Sequence, residues 1–137
     1  MKEKVAEIFE REAHAIKNIP VTDVYEHVTE IIHKHVHVLR GKLITSGMGK
    51  AGQIANNIAT TFSSTGTPAV FLHPSEAQHG DLGVLQENDI MLAISNSGKT
   101  REIIELVDLK EKLFPGMPVI VITGKVNSPL AIKADYF

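Results

Sequence analysis

The sequence contains no cysteine and no tryptophan, and only five phenylalanines and two tyrosines among its 137 residues. Without cysteine, disulfides, thiol catalysis and cysteine-ligated zinc are excluded. The shortage of aromatics argues against a base-stacking platform for nucleic acid. No run of about 18 apolar residues occurs, so no membrane span is expected. Neither sign of charge dominates: 14 Lys and Arg stand against 16 Asp and Glu, a net charge of −2, which gives no general attraction to nucleic acid. The opening Met1-Lys2-Glu3-Lys4 has mixed charge and leads into an amphipathic pattern rather than the apolar core of a signal peptide. The cytoplasm is the expected location. There is no internal repeat, low-complexity segment or linker.

What remains is the composition of an ordinary domain, 43% hydrophobic and 22% charged, in a chain long enough to bury a core. Residues 2–18 read as a helix, with Val5, Ile8, Phe9, Ala13 and Ile16 at helical spacing, interrupted by Pro20. A second helix is expected over residues 22–38, capped by Thr22 or Asp23 and ended by Arg40-Gly41. Four short apolar runs then follow as strands, at residues 42–46, 69–72, 89–94 and 118–123. Helices over residues 51–64, 100–112 and 127–134 separate them, and residues 135–137 open a fifth strand. Uniformly apolar strands alternating with helices predict a parallel sheet covered on both faces.

Ligands of such sheets bind at the carboxyl ends of the strands, near a switch in strand order. Three polar loops fall on that edge. The loop at 95–100, Ser-Asn-Ser-Gly-Lys-Thr, puts hydroxyls, an amide and a glycine before a helix. It reads either as an anion site on the helix N-terminus or as a polar turn with an N-cap, since both use the same residues. In the loop at 46–52, Gly47-x-Gly49-x-x-Gly52 echoes a dinucleotide fingerprint. The acid required after the second strand is missing, and His73 stands there instead. Lys50 can reach a phosphate or a sugar oxygen, or be a solvated surface lysine. Gly98-Lys99-Thr100 echoes a Walker ending, but Ala93 occupies the place of its first glycine.

The third loop carries His73, Glu76, His79 and Asp81, spaced as metal ligands or as acid/base groups. We take them as acid/base residues and expect no metal. His33, His35 and His37 are read as solvated or dipole-facing, with only His33 and His37 sharing a helix face.

Taken together, Gly47-Met-Gly-Lys-Ala-Gly52, Ser64-Thr-Gly-Thr-Pro68, His73-Pro-x-Glu76-Ala-x-His79-Gly-Asp-Leu-Gly83 and Ala93-Ile-Ser-Asn-Ser-Gly98, in this order and spacing, resemble the SIS (sugar isomerase) domain, and within it the arabinose 5-phosphate isomerase branch. The resemblance runs from about Gly41 onward. It implies an α/β fold, a three-layer α/β/α sandwich with a five-stranded parallel sheet, doubly wound and flavodoxin-like. Residues 1–40 would be N-terminal helices packing on a phosphosugar-binding domain at 41–137.

The activity implied is a cofactor-free aldose–ketose isomerase interconverting D-arabinose 5-phosphate and D-ribulose 5-phosphate, supplying the sugar acid Kdo for lipopolysaccharide or capsule. The resemblance places Ser95, Asn96, Ser97 and Thr100 on the sugar phosphate, with Ser46, Gly47, His73 and Glu76 nearby, and Lys50, His79 and Glu102 in the catalytic set. It also implies a homo-oligomer, a dimer or tetramer. Three departures stand out: Lys99 replaces a usual glutamate, the sequence stops at the fifth strand before a further glutamate and histidine of the family, and paired CBS domains are absent. The alternative function is a noncatalytic SIS module binding a sugar phosphate or sugar nucleotide as a regulator.

Overall fold

Strands buried on both faces need no polar alternation, and the strand sequences show none. The computed structural model describes residues 1–137. Its helices are α1 (Lys2–Lys17), α2 (Val24–His33), α3 (Gly49–Ser64), α4 (Pro74–Ala77), α5 (Arg101–Leu113) and α6 (Pro129–Ile132). Its strands are β1 (Leu43–Gly47), β2 (Ala69–Phe71), β3 (Ile90–Ile94) and β4 (Val119–Ile122), all parallel, in the order β2-β1-β3-β4. The order reverses between β1 and β3, which is the switch point where a ligand crevice opens.

Successive strand residues face opposite sides. Leu43, Ile90, Leu92 and Ile120 meet Val28, Ile31 and Ile32 of α2 and Ile58 and Phe62 of α3. Ile44, Met91, Ala93, Val119 and Val121 meet Ile103, Leu106 and Val107 of α5, Ala77 of α4 and Leu130 of α6. The three-layer α/β/α sandwich expected from the sequence is therefore present. No helix is long and apolar enough to cross a membrane.

The fifth strand is a correction. The sheet has four strands, and beyond them only Tyr136 pairs, as one parallel bridge to Ile120. The Val121 N–H donates to the Tyr136 carbonyl at 2.8 Å, while Asp135 uses its carboxylate to accept from the Val119 N–H at 2.8 Å. The Asp135 and Tyr136 N–H groups both donate to the Val119 carbonyl, at 2.9 and 3.3 Å, and the pairing goes no further than this one bridge.

The second helix is shorter than expected. It passes at Lys34–Val38 into a π turn, in which the Leu39 N–H reaches the Lys34 carbonyl at 2.9 Å. The wider turn carries His35 inward, contrary to its reading as a solvated residue. His35 is buried, and its Nδ1 lies 3.0 Å from the Asn88 carbonyl, to which it donates. His33 and His37 stay exposed, their ring centroids 5.4 Å apart. Of the two N-terminal helices, α2 packs on the sheet, whereas every residue from Met1 to Asp23 is exposed and α1 covers nothing.

The base of the sheet is fastened by Asp89, which is fully buried. Its carboxylate accepts from the Lys42 N–H at 2.9 Å, the Lys42 ammonium at 2.8 Å and the Gln86 N–H at 2.8 Å. Asp89→Asn removes the charge and turns an amide donor toward donors. We expect it to cost roughly 2–4 kcal/mol in urea unfolding, and a loss near zero would show that Asp89 is not a structural clamp.

Candidate functional site

Strand register brings the two glycine-bearing loops together. Ser46 pairs with Ala93 and Gly47 with Ile94, so residues 48–50 and 95–97 leave the sheet side by side at the switch point. Gly47 and Gly52 are required by close approach. A Cβ on Gly47 would fall 2.7 Å from the Ala51 carbonyl, and one on Gly52 would fall 2.6 Å from the Gly47 oxygen. The echo of a dinucleotide fingerprint is therefore a packing requirement that starts α3 tightly against β1.

The anion-site and N-cap readings of the 95–100 loop can be told apart by where its hydroxyls point. The Thr100 hydroxyl sits 2.8 Å from the Ser95 hydroxyl and does not cap α5. Ser95 is buried, and its oxygen also accepts from the Gly98 N–H at 3.1 Å. Ser97 accepts from the Lys99 N–H at 3.2 Å. No side chain caps α5 or α3, whose N-cap position is Met48. Two helix N-termini on adjacent strands thus present first-turn N–H groups that no side chain of the protein accepts from. Their partial positive charges suit a phosphate.

The loop is braced from behind by the segment after β4. The Gly124 N–H donates to the Asn96 carbonyl at 3.1 Å, and the Leu130 N–H to the Gly98 carbonyl at 3.1 Å. Gly98 has φ +61°, and a Cβ there would lie 2.0 Å from the Ser128 hydroxyl. Ser97, Lys99, Lys125 and Asn127 line a cavity of about 460 Å³ beside this brace. Sequence reading passed over the 124–128 segment, although its place after a strand's carboxyl end marks it by the same rule as the other loops.

Lys50 is exposed in the first turn of α3. It makes no ion pair, and neither do Lys99 or Lys125. Glu102 is half-buried in the first turn of α5, where the helix dipole favours a carboxylate. Ser46 is buried and donates to the Leu72 carbonyl at 2.7 Å, which ties β1 to the start of the third loop.

That loop is less converged. His73 packs edge-on to Phe71 at 6.3 Å between centroids, and its Nδ1 is buried without a partner. α4 ends at Ala77, so His79 lies beyond it and does not share a helical turn with His73. Glu76, on α4, and His79 are both exposed. No three His, Asp or Glu side chains stand close enough to hold a metal ion.

One polar link fixes the loop to α5: Gln78 Nε2 donates to Glu105 at 2.8 Å, and Arg101 Nε donates to its other oxygen at 2.8 Å. The hydrogen bond from Gln78 is the first cause that holds the Glu105 carboxyl below its usual value, with Arg101 adding to it. The link is therefore intact above the ordinary carboxylate range and is lost only as pH falls through the lowered value.

Gly98→Ala tests the brace. A left-handed backbone with a side chain costs about 1–2 kcal/mol, and the overlap with Ser128 adds to it. We expect a loss of roughly 2 kcal/mol or more in chemical denaturation, together with loss of any melting-temperature rise from added phosphate esters. Unchanged stability and phosphate response would contradict the brace.

Comparison with known proteins places this geometry in a family. Residues 39–137 match the SIS domain model. The chain is 49% identical over 96 residues to arabinose 5-phosphate isomerase KdsD of Shigella flexneri and 48% identical over 96 residues to KdsD of Escherichia coli K12. Each match covers 70% of this chain and 29% of the relative, so the chain spans less than a third of the length of these relatives. Among solved structures, it is similar to one described as a putative phosphosugar isomerase involved in capsule formation from Bacteroides fragilis NCTC 9343. That match has 64% identity and a TM-score of 0.97, and covers 99% of this chain and 71% of that one. It is also similar to an E. coli CFT073 protein in complex with arabinose 5-phosphate, with 36% identity, a TM-score of 0.82, and 98% and 69% of the two chains covered. With the family model spanning most of the residues and the same doubly wound sheet beneath them, the chain belongs to the SIS domain family.

Proposed function

We propose that this chain is the phosphosugar-binding domain of a sugar-phosphate isomerase, interconverting D-arabinose 5-phosphate and D-ribulose 5-phosphate through an enediol. The observation that carries this reading is the pair of uncapped helix N-termini, α3 and α5, on adjacent strands beside a loop of hydroxyls. The similar structure in complex with arabinose 5-phosphate and the KdsD relatives support the choice of sugar. In this reading the reaction is cytoplasmic and feeds Kdo synthesis for lipopolysaccharide or capsule.

The phosphate would sit on the first-turn N–H groups of α5, with Asn96, Ser97 and Thr100 around it and Ser95 holding Thr100 in place. Ser46 and Gly47 would shape the floor. Isomerisation needs a base that takes a proton from C1 of the ketose or C2 of the aldose and returns it to the other carbon. It also needs a second group that moves the proton between the two oxygens. Lys50 and His79 suit the oxygens, where a cation or donor stabilises the developing oxyanion. Glu102 is the carboxylate best placed for the carbon-bound proton, since it stands half-buried in the first turn of α5, beside the cradle itself. His73 and Glu76 would complete the sugar's polar surroundings.

One observation favours a second reading, a noncatalytic module that binds a sugar phosphate or sugar nucleotide. His79 is exposed beyond the end of α4, and no side chain orients it.

Arabinose 5-phosphate incubated with the chain in deuterium oxide and followed by NMR separates the two. The isomerase predicts deuterium at C2 and growth of ribulose 5-phosphate, slowed at least ~100-fold by Lys50→Ala. Line broadening of the sugar without exchange would instead establish the binding module, and neither effect would overturn both readings.

A further inference from the structure

Glu102 and His79 reach the site from different elements, and one carboxylate joins those elements. Glu105 follows Glu102 on α5 at the i+3 spacing that puts both on one helix face. Its two oxygens take different donors, Gln78 Nε2 and Arg101 Nε, at 2.8 Å each. The Arg101 contact alone is an ordinary i,i+4 surface pair with an 83% exposed guanidinium side chain, and such a pair contributes little. The Gln78 contact differs in kind. It joins residues 27 apart in sequence, and it ends one residue before His79.

Gln78 is the last side chain that ties the third loop before its exposed tip. Upstream, Ala77 is buried in the same core as Ile103, Leu106 and Val107 of α5. Downstream, neither His79 nor Asp81 makes a side-chain hydrogen bond or ion pair, and the chain next packs on the core at Leu82. Gly80, with φ +129°, lets the chain turn there and adds no side chain to hold it. The His79 N–H reaches back to the Glu76 carbonyl at 2.9 Å. Whatever fixes the end of α4 therefore fixes the point from which His79 departs.

We propose that Glu105 is a positioning residue for the isomerisation: through Gln78 it holds the end of α4 against α5, so that His79 and Glu102 face one substrate at a fixed separation. The inference rests on the isomerase reading above. In this role Glu105 touches no reacting atom and acts only through Gln78. The Gln78 hydrogen bond is also the first cause that keeps the Glu105 carboxyl below its usual range. The acceptor is thus charged at neutral pH, and the bond is of the stronger, charge-assisted kind. Proton transfer between the two sugar oxygens demands such placement, since a misplacement of about 1 Å costs on the order of 100-fold in rate.

Turnover of arabinose 5-phosphate and amide relaxation by NMR, both on the full chain, test this together. Glu105→Ala and Gln78→Ala should each lower kcat about 10-fold or more with KM within about twofold, and the double substitution should be no worse than either alone. Glu105→Gln keeps an acceptor for Gln78 and should restore most of the rate. In Glu105→Ala the backbone order parameters of His79 and Asp81 should fall from about 0.85 to below about 0.6, with the urea midpoint little changed. Unchanged kcat, a loss confined to KM, additive losses in the double variant, or a rate that falls only in step with the folded fraction would each overturn the proposal. Absence of turnover in the unsubstituted chain would count against the isomerase reading instead. The relaxation measurement then decides whether Glu105 holds the loop: a drop in Glu105→Ala upholds the placement, and unchanged order parameters overturn it.

Discussion

The site depends on one hydroxyl–hydroxyl contact. Thr100 occupies the N-cap position of α5, where a threonine ordinarily turns its oxygen to the helix N–H groups. Here that oxygen lies 2.8 Å from Ser95 instead. The consequence is chemical: the first-turn N–H groups of α5 keep their hydrogen-bonding capacity and their share of the helix dipole. Ser95 is buried and also accepts from Gly98, so the contact sits on a fixed base. α3 reaches the same condition by another route, because its N-cap residue is Met48, which has no suitable oxygen.

Backbone packing then sets where those two termini stand. Gly47 and Gly52 let the start of α3 press on the end of β1, and Gly98 lets the 95–100 loop lie against Ser128. The β1–β3 register puts both loops at the same height on neighbouring strands. On the opposite edge, the buried Asp89 carboxylate gathers Lys42 and Gln86 and closes the foot of the same two strands. The sheet is thus tied at its base and left with polar donors at its crown.

Much of this is legible in the sequence because burial on two faces writes itself as unbroken apolar runs. Those runs mark the four strands and their parallel sense. The loops are legible as a group, since three polar segments after three strands must share an edge. What is not legible depends on tertiary choices. Nothing local says that Thr100 turns to Ser95 rather than capping its helix. The π turn that buries His35 is a rotation of backbone with no residue signature. The expected fifth strand is a single bridge from Tyr136 to Ile120, with the Asp135 carboxylate accepting from the Val119 N–H. The amphipathic pattern of α1 marks a helix, but periodicity does not reveal whether the apolar side is covered.

The amide groups of two uncapped helices form an anion cradle at the switch point, and amide-resolved NMR titration of the chain with arabinose 5-phosphate tests this most directly. We expect the largest shifts at the N–H groups of Arg101, Glu102 and Ile103, with smaller ones at Gly49 and Lys50, and weaker shifts at the same amides with inorganic phosphate alone. Shifts centred elsewhere, or none in the first turns of α3 and α5, would contradict the cradle.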